Sequence, residues 1–305
     1  MRRRAFIAGG AAWAVNAQDW RHSEAFQRLY NLDFELAILM LEKHCANEPA
    51  EPDHYNNLAY AILYRTLFNA DALDGGVALS VSEFLHKAKA PMANLDRQRF
   101  EAALSKAEDA ARKRGERADA IYALGVSQTH RANLALLVDK EWRAALKTGG
   151  EARKLHAKAL EFDKGFVDAM LVPSFHEYIV GSLPIYLKAL GFLVGFSGDK
   201  AKGLKGLRTV AQYGMRAKLE AQILLALVEN REERPAAAIE IMRGLEREFP
   251  TNHLYRKELA TLLIGTKRKD EAKREFAELA DSRYRFLKPA RLEAYKLEFE
   301  AKLRA

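Results

Sequence analysis

A chain of 305 residues, 49% hydrophobic and 30% charged, carries enough apolar material for one large core or a stack of smaller ones, which excludes a disordered chain. The formal charge of +8 reflects 49 Lys and Arg against 41 Asp and Glu, yet Arg2, Arg3 and Arg4 open the chain and the remaining charges interleave, so no dense basic patch points to nucleic acid. The single Cys45 excludes an internal disulfide framework and a cysteine-based zinc cluster.

The first element reads as an export signal, with an ordinary basic start and an N-terminal helix as the other reading. A basic head at Arg2 to Arg4 precedes a weakly apolar stretch, residues 5–15, and the small residues Val15 and Ala17 flank Asn16 before Gln18. That order predicts a cleaved signal over residues 1–17, placing the mature chain in the periplasm or outside the cell. Arg3, Arg4, Ala5, Phe6 and Ile7 also resemble the twin-arginine export motif, so the general and twin-arginine routes both remain open. Residues 18–305 then read as one α-helical domain, with apolar residues three and four apart and few alternating β-branched runs.

Ala37 and Leu41, with Pro49 closing the segment, predict a helix that packs a narrow apolar face and stops at a turn. The next helix follows at once, carrying Leu58 and Ala59. Residues 71–114 fit no period. Leu124 and Gly125 repeat the leucine and small-residue pair, and Ala152, His156 and Ala159 repeat the face of a partner helix, ended by a turn around Asp163 to Gly165. The stretch GSLPIYLKALGFLVGFSGDKAKGLKGL, residues 181–207, is too short and too interrupted, by Lys188 and Pro184, to span a membrane. It also lacks the Gly and Lys-Ser/Thr spacing of a phosphate loop. It predicts a buried helix, a turn at Gly195, Phe196, Ser197, Gly198 and Asp199, and a second helix capped by Ser197 or Asp199.

The clearest text lies at residues 219–252 and 253–286. At a period of ~34 residues Leu225 aligns with Leu259, Ala226 with Ala260, Ala238 with Ala272, and Met242 with Phe276. Small residues let two helices of a hairpin approach closely, Pro235 suits a first helical turn, and Pro250 with Thr251 and Asn252 ends one repeat and caps the next. This pattern resembles the tetratricopeptide repeat, and the upstream segments carry it with drift. Leu183, Pro184, Gly195, Phe196, Ser197, Gly198, Gly203 and Leu204 are also similar to the tetratricopeptide repeat protein 39 family and the related inclusion body clearance proteins, with the likeness covering about residues 165–280. The resemblance implies an all-α, right-handed superhelical solenoid of helix hairpins, irregular where longer helices and insertions intervene, without known catalytic residues.

The search for chemistry agrees with a non-enzyme that needs no cofactor. The eight histidines form no HExxH pair. His176 beside Glu177 lacks a converging partner, Ser174 and Ser182 lack a nucleophile elbow, and Cys45 falls on a packing face. In the repeat that the chain resembles, the first helix of each pair lines a concave surface. The resemblance places Asp53, Asn56, Tyr60, Leu63 and Tyr64 there, then Asp119, Tyr122, Val126, Thr129 and His130, then Glu220, Ile223, Leu227, Asn230 and Arg231, and last Leu254, Lys257, Thr261, Ile264 and Gly265. Asn56, Tyr60, Tyr64, Tyr122, His130, Asn230, Arg231 and Lys257 are the candidate groove residues for a protein or peptide partner, with tyrosines as anchors. The competing expectation is that the tyrosines only pack against the next hairpin. Leu227 and Thr261 stand where the dicarboxylate-clamp subtype needs asparagine. The expected function is an exported, non-catalytic scaffold that binds a protein or peptide, without nucleic acid and without a transmembrane span in the mature chain, while association with a membrane surface stays open. The alternative is a small-ligand or lipid-handling protein of the cell envelope.

Overall fold

The computed structural model describes residues 23–73, 90–183 and 198–304. The signal-like residues 1–17 lie outside the described residues, as do Gly195, Phe196 and Ser197 of the expected turn. Within the described residues the secondary structure is helical, with no strand. The helices are α1 (Glu24–Tyr30), α2 (Phe34–Asn47), α3 (Pro52–Asn69), α4 (Asn94–Lys113), α5 (Ala118–Asn133), α6 (Trp142–Phe162), α7 (Leu171–Gly181), α8 (Lys200–Tyr213), α9 (Lys218–Arg231), α10 (Pro235–Glu248), α11 (His253–Gly265), α12 (Lys269–Ala277) and α13 (Pro289–Arg304). Helices α1 to α12 pack chiefly on their sequence neighbours, and α13 folds back onto α11. None of the described helices is long and apolar enough to cross a membrane.

The small residues singled out in the sequence sit at the tight contacts. Ala226, Ala238, Ala260 and Ala272 are all buried where α9 meets α10 and α11 meets α12. Ala37, Leu41 and Ala59 are fully buried in the same core, and Ala152, His156 and Ala159 are buried in the α5–α6 hairpin. A side chain on Gly125 would come within 2.8 Å of the His156 ring, so the glycine gives the imidazole its seat. The repeat also shows in the backbone. Glu233 and Lys267, at equivalent places in successive hairpins, both take a left-handed turn, at φ 58° and 61°. Non-glycine residues enter that region when a tight helix exit leaves no other path. Pro235 occupies the first turn of α10, and the Asn252 side chain caps α11 by accepting from Leu254 N–H at 3.0 Å.

Asp199 caps α8, its Oδ1 accepting from Lys202 N–H at 3.0 Å. Opposite it, Glu177 accepts from Asp199 N–H at 2.8 Å and from Lys202 Nζ at 3.0 Å, so Glu177 works as a structural joint between α7 and α8. The glycines of GDKAKGLKGL serve helix contact as much as the turn. A Cβ on Gly203 would run into the backbone of Tyr178, and one on Gly206 into Ser174. Leu204 and Leu207, on the same face, are buried with Tyr178. Cys45 is buried, its thiol pushed up to about 12 by desolvation, as fits a packing residue.

Nothing in the residue pattern points to contact between α1 and the C-terminal hairpins, yet the two meet. α1 and the loop after it dock onto the α10–α11 junction, where Asn252 Nδ2 donates to Tyr30 O at 2.7 Å and Thr251 donates through N–H and hydroxyl to Asn31 Oδ1 at 3.0 and 2.8 Å. The Tyr30 ring lies 5.2 Å from Phe249, Arg285 pairs with Asp33 at 2.6 Å, and Arg291 Nη2 donates to Phe68 O at 2.7 Å. One apolar core runs through α1 to α4 and α9 to α11 together. Asn252→Ala removes a helix cap and the bond to Tyr30 at a buried site, so we expect a loss of roughly 2 to 3 kcal/mol in chemical denaturation. Asn252→Asp, which keeps the cap acceptor but not the donor, should fall between; equal stability of all three proteins would count against the joint.

Candidate functional site

With α1 docked on the α10–α11 junction, most of the expected groove residues contact other helices of the chain. Asn56, on α3, is 1% exposed and fully engaged, its Nδ2 donating to Ala123 O at 2.9 Å and its Oδ1 accepting from Ser127 Oγ at 2.7 Å. It ties α3 to α5. One and two turns further along α3, Tyr60 and Tyr64 stack with ring centroids 4.0 Å apart, and the edge of His130 meets Tyr60 at 5.8 Å. Tyr122 packs against His156 at 5.2 Å and Phe166 at 4.8 Å. These five candidate residues are brought together, chiefly by one another and by their own chain. Asn230 and Arg231 are exposed at the C-terminal end of α9, where Arg231 lies near Tyr178, away from the cluster. Lys257 is buried and faces α13, its Nζ 3.5 Å from Glu298 and over the Tyr295 ring.

Several residues beyond the eight candidates complete the inner surface. Asp168, in the short 3₁₀ turn Val167–Met170, accepts from the backbone N–H groups of Met215, Arg216 and Ala217, each at 2.9 Å, and so holds the segment entering α9. That places the Arg216 guanidinium between Tyr122 and Phe166, 5.7 and 5.6 Å from their centroids, with Asp53 Oδ2 at 3.0 Å. Burial raises the Asp53 carboxyl, and Arg216 opposes the rise. Glu220, in the first turn of α9, is raised by burial against the lowering effect of Tyr30, whose hydroxyl donates to its Oε1. Glu220, Ile223 and Leu227 recur at helical spacing on one face of α9.

Between α1, α3, α9 and α11 lies a cavity of about 130 Å³. Tyr30, Tyr60, Tyr64 and Tyr255 line it with Leu29, Phe34, Ile223, Leu227, Leu254 and Glu258. Burial, followed by Glu220 and its neighbours, raises all four phenols, Tyr64 to about 12. Tyr60, Tyr64, Ile223, Leu227 and Leu254 belong to the inward positions read from the sequence. Tyr30 and Tyr255 do not. Tyr30 precedes the first recognisable hairpin, and Tyr255 lies beside an inward position; the docking of α1 onto α11 brings both to the cavity. Among the described residues no group of His, Cys, Asp and Glu gathers as a metal site.

Comparison with protein-family models, with curated proteins and with solved structures gives no match for this chain.

The buried histidines make stability depend on pH. Burial pushes His130 and His253 down to about 4, against about 6.5 in an unfolded chain. Between those values the unfolded chain holds more protons, so stability falls as pH drops from about 6.5 to about 4 and this contribution is flat outside that window. Asp53 and Glu220, raised in the fold, act in the opposite sense. Each histidine accounts for up to about 3 kcal/mol of the loss. Urea unfolding at several pH values should therefore show a shallower acid-side decline for His130→Leu than for the parent, and parallel curves would refute this account of His130.

Proposed function

We propose that this chain is a non-catalytic binding protein, an exported tetratricopeptide-like helical repeat that takes a small ligand into the cavity between its first and last hairpins. In this reading the hairpins form a right-handed superhelix, as the resemblance implies, and the superhelix is closed by α1. The observation that carries the proposal is the convergence of residues from α3, α9 and α11 on one tyrosine-lined, largely apolar cavity bordered by the joint between α1 and α11. Ligand sites are concave, mostly apolar and equipped with a few polar groups, and a cavity near this size accepts a molecule as large as benzene. An extended peptide would need the inner side chains free. Asn56 and Tyr122 are instead engaged with α5, α6 and the 3₁₀ turn, and only Asn230 and Arg231 of the eight candidates stand fully open.

The test is thermal unfolding with benzene as probe, comparing the parent with Leu227→Phe, which fills the cavity. At a ligand concentration about a hundred times the dissociation constant, stabilisation of about 2.7 kcal/mol is expected for the parent and none for the variant. A peptide that binds both proteins equally, with benzene acting on neither, would return the reading to a scaffold for an extended partner. Export is part of the proposal and rests on the order of residues 1–17. N-terminal sequencing of protein from its native cells should begin at Gln18, and an intact Met1 or Arg2 on cytoplasmic material would remove it.

A further inference from the structure

Helix α6 packs on α5 through Ala145, Ala152, His156 and Ala159 and turns its other side to solvent. On that open side Trp142 and Leu146, one helical turn apart, are 51% and 55% exposed. Leu95, 66% exposed in the first turn of α4, stands at the same end of the molecule. Arg97, two residues after it, pairs at 2.6 Å with Asp139, three residues before Trp142. Single exposed apolar side chains need no explanation, whereas a cluster that includes a tryptophan marks a surface that something covers.

The charges around the cluster say what covers it. Arg143, Lys147 and Lys154 recur at helical spacing on the outward face of α6, beside Trp142 and Leu146, and all three are exposed. The Arg143 guanidinium lies over the indole, 5.1 Å from its centroid. None of the three enters an ion pair with a described residue, whereas Lys158, further along the same helix, pairs with Glu116 at 2.7 Å. Glu151 is the acid among them and Glu141 precedes the helix, so with Arg153 the segment 141–154 sets four cations against two acids. Lysine is depleted at protein interfaces, while Trp and Leu bordered by Lys and Arg are the composition of helices that lie on anionic lipid. From this juxtaposition we infer that the N-terminal half of α6, with Leu95 beside it, docks on an anionic lipid surface. Trp142 and Leu146 enter the headgroup layer, and Arg143, Lys147 and Lys154 meet the lipid phosphates. The contact is shallow and reversible, because the remaining apolar face of α6 is already spent on α5. It is independent of the cavity and of what the cavity holds.

Cosedimentation of the full chain with vesicles of phosphatidylglycerol and of phosphatidylcholine tests this. Binding to the anionic vesicles should be tighter by about ten-fold or more and should weaken as salt is raised. Arg143→Gln combined with Lys147→Gln and Lys154→Gln should bring the two lipids close to equal. Trp142→Ser combined with Leu146→Ser should weaken binding to phosphatidylglycerol several-fold and leave its salt dependence in place. All five side chains are exposed, so thermal unfolding of both variants should match the parent. A further readout keeps the fold untouched at α6: with Trp13→Phe and Trp20→Phe, the emission of Trp142 should shift to the blue on phosphatidylglycerol and not on phosphatidylcholine. No binding to phosphatidylglycerol, equal binding of the parent to both lipids, or binding that neither variant weakens would overturn the inference. So would a self-associated parent that Trp142→Ser with Leu146→Ser converts to a monomer, which would assign the patch to a second copy of the chain.

Discussion

The joint between Tyr30 and Asn31 at one end of the chain and Thr251 and Asn252 at the other is the constraint on which the inner surface depends. A stack of hairpins buries each helix against its neighbours and leaves two ends and a concave face in water. Here α1 inserts its tyrosine against Phe249, and Asn252, itself the cap of α11, donates to the Tyr30 carbonyl. The same few residues thus start a helix, satisfy a backbone acceptor and join elements about 220 residues apart in sequence. Loop closure over such a separation costs entropy that grows only slowly with length, so a compact set of buried hydrogen bonds and one aromatic contact can hold it.

With the ends joined, the inner surface becomes an interior and its polar residues must be answered there. Asn56 bridges two helices through both ends of its amide, and Asp168 gathers three N–H groups at the entrance to α9. That gathering orients Arg216 between two rings and against Asp53. Each is a polar group whose burial is tolerable because its partners are supplied by a different helix, which fixes the spacing of those helices as firmly as the apolar contacts do. Glu220 departs from this rule, with one oxygen satisfied and one not.

The glycines and alanines show how composition becomes geometry. At Gly125, Gly203 and Gly206 the missing side chain is the space occupied by His156, by the Tyr178 backbone and by Ser174. Alanines do the same work with less intimacy at 226, 238, 260 and 272. The α7–α8 pair, tied at its open end by Glu177, Asp199 and Lys202, is the closest of these contacts and carries the segment that stood out most in the sequence.

The sequence by itself determined the helical class, several caps and the spacing of the hairpins over residues 219–286, because propensity, capping and the three-and-four periodicity are local properties that act within one or two turns. The cap at Asn252, the entry at Pro235 and the buried alanines of residues 219–286 were legible for that reason. The groove positions on the faces of α3, α9 and α11 came from the resemblance to a helical repeat and not from these local properties. What those faces do was decided only by the tertiary structure. Lys257 turns to Glu298 and Tyr295 because α13 folds back over α11, and Tyr30 joins Tyr60, Tyr64 and Glu220 because α1 docks on the far end of the array. Both events bring together residues with no fixed separation in sequence, and periodicity carries no information about contacts that occur once.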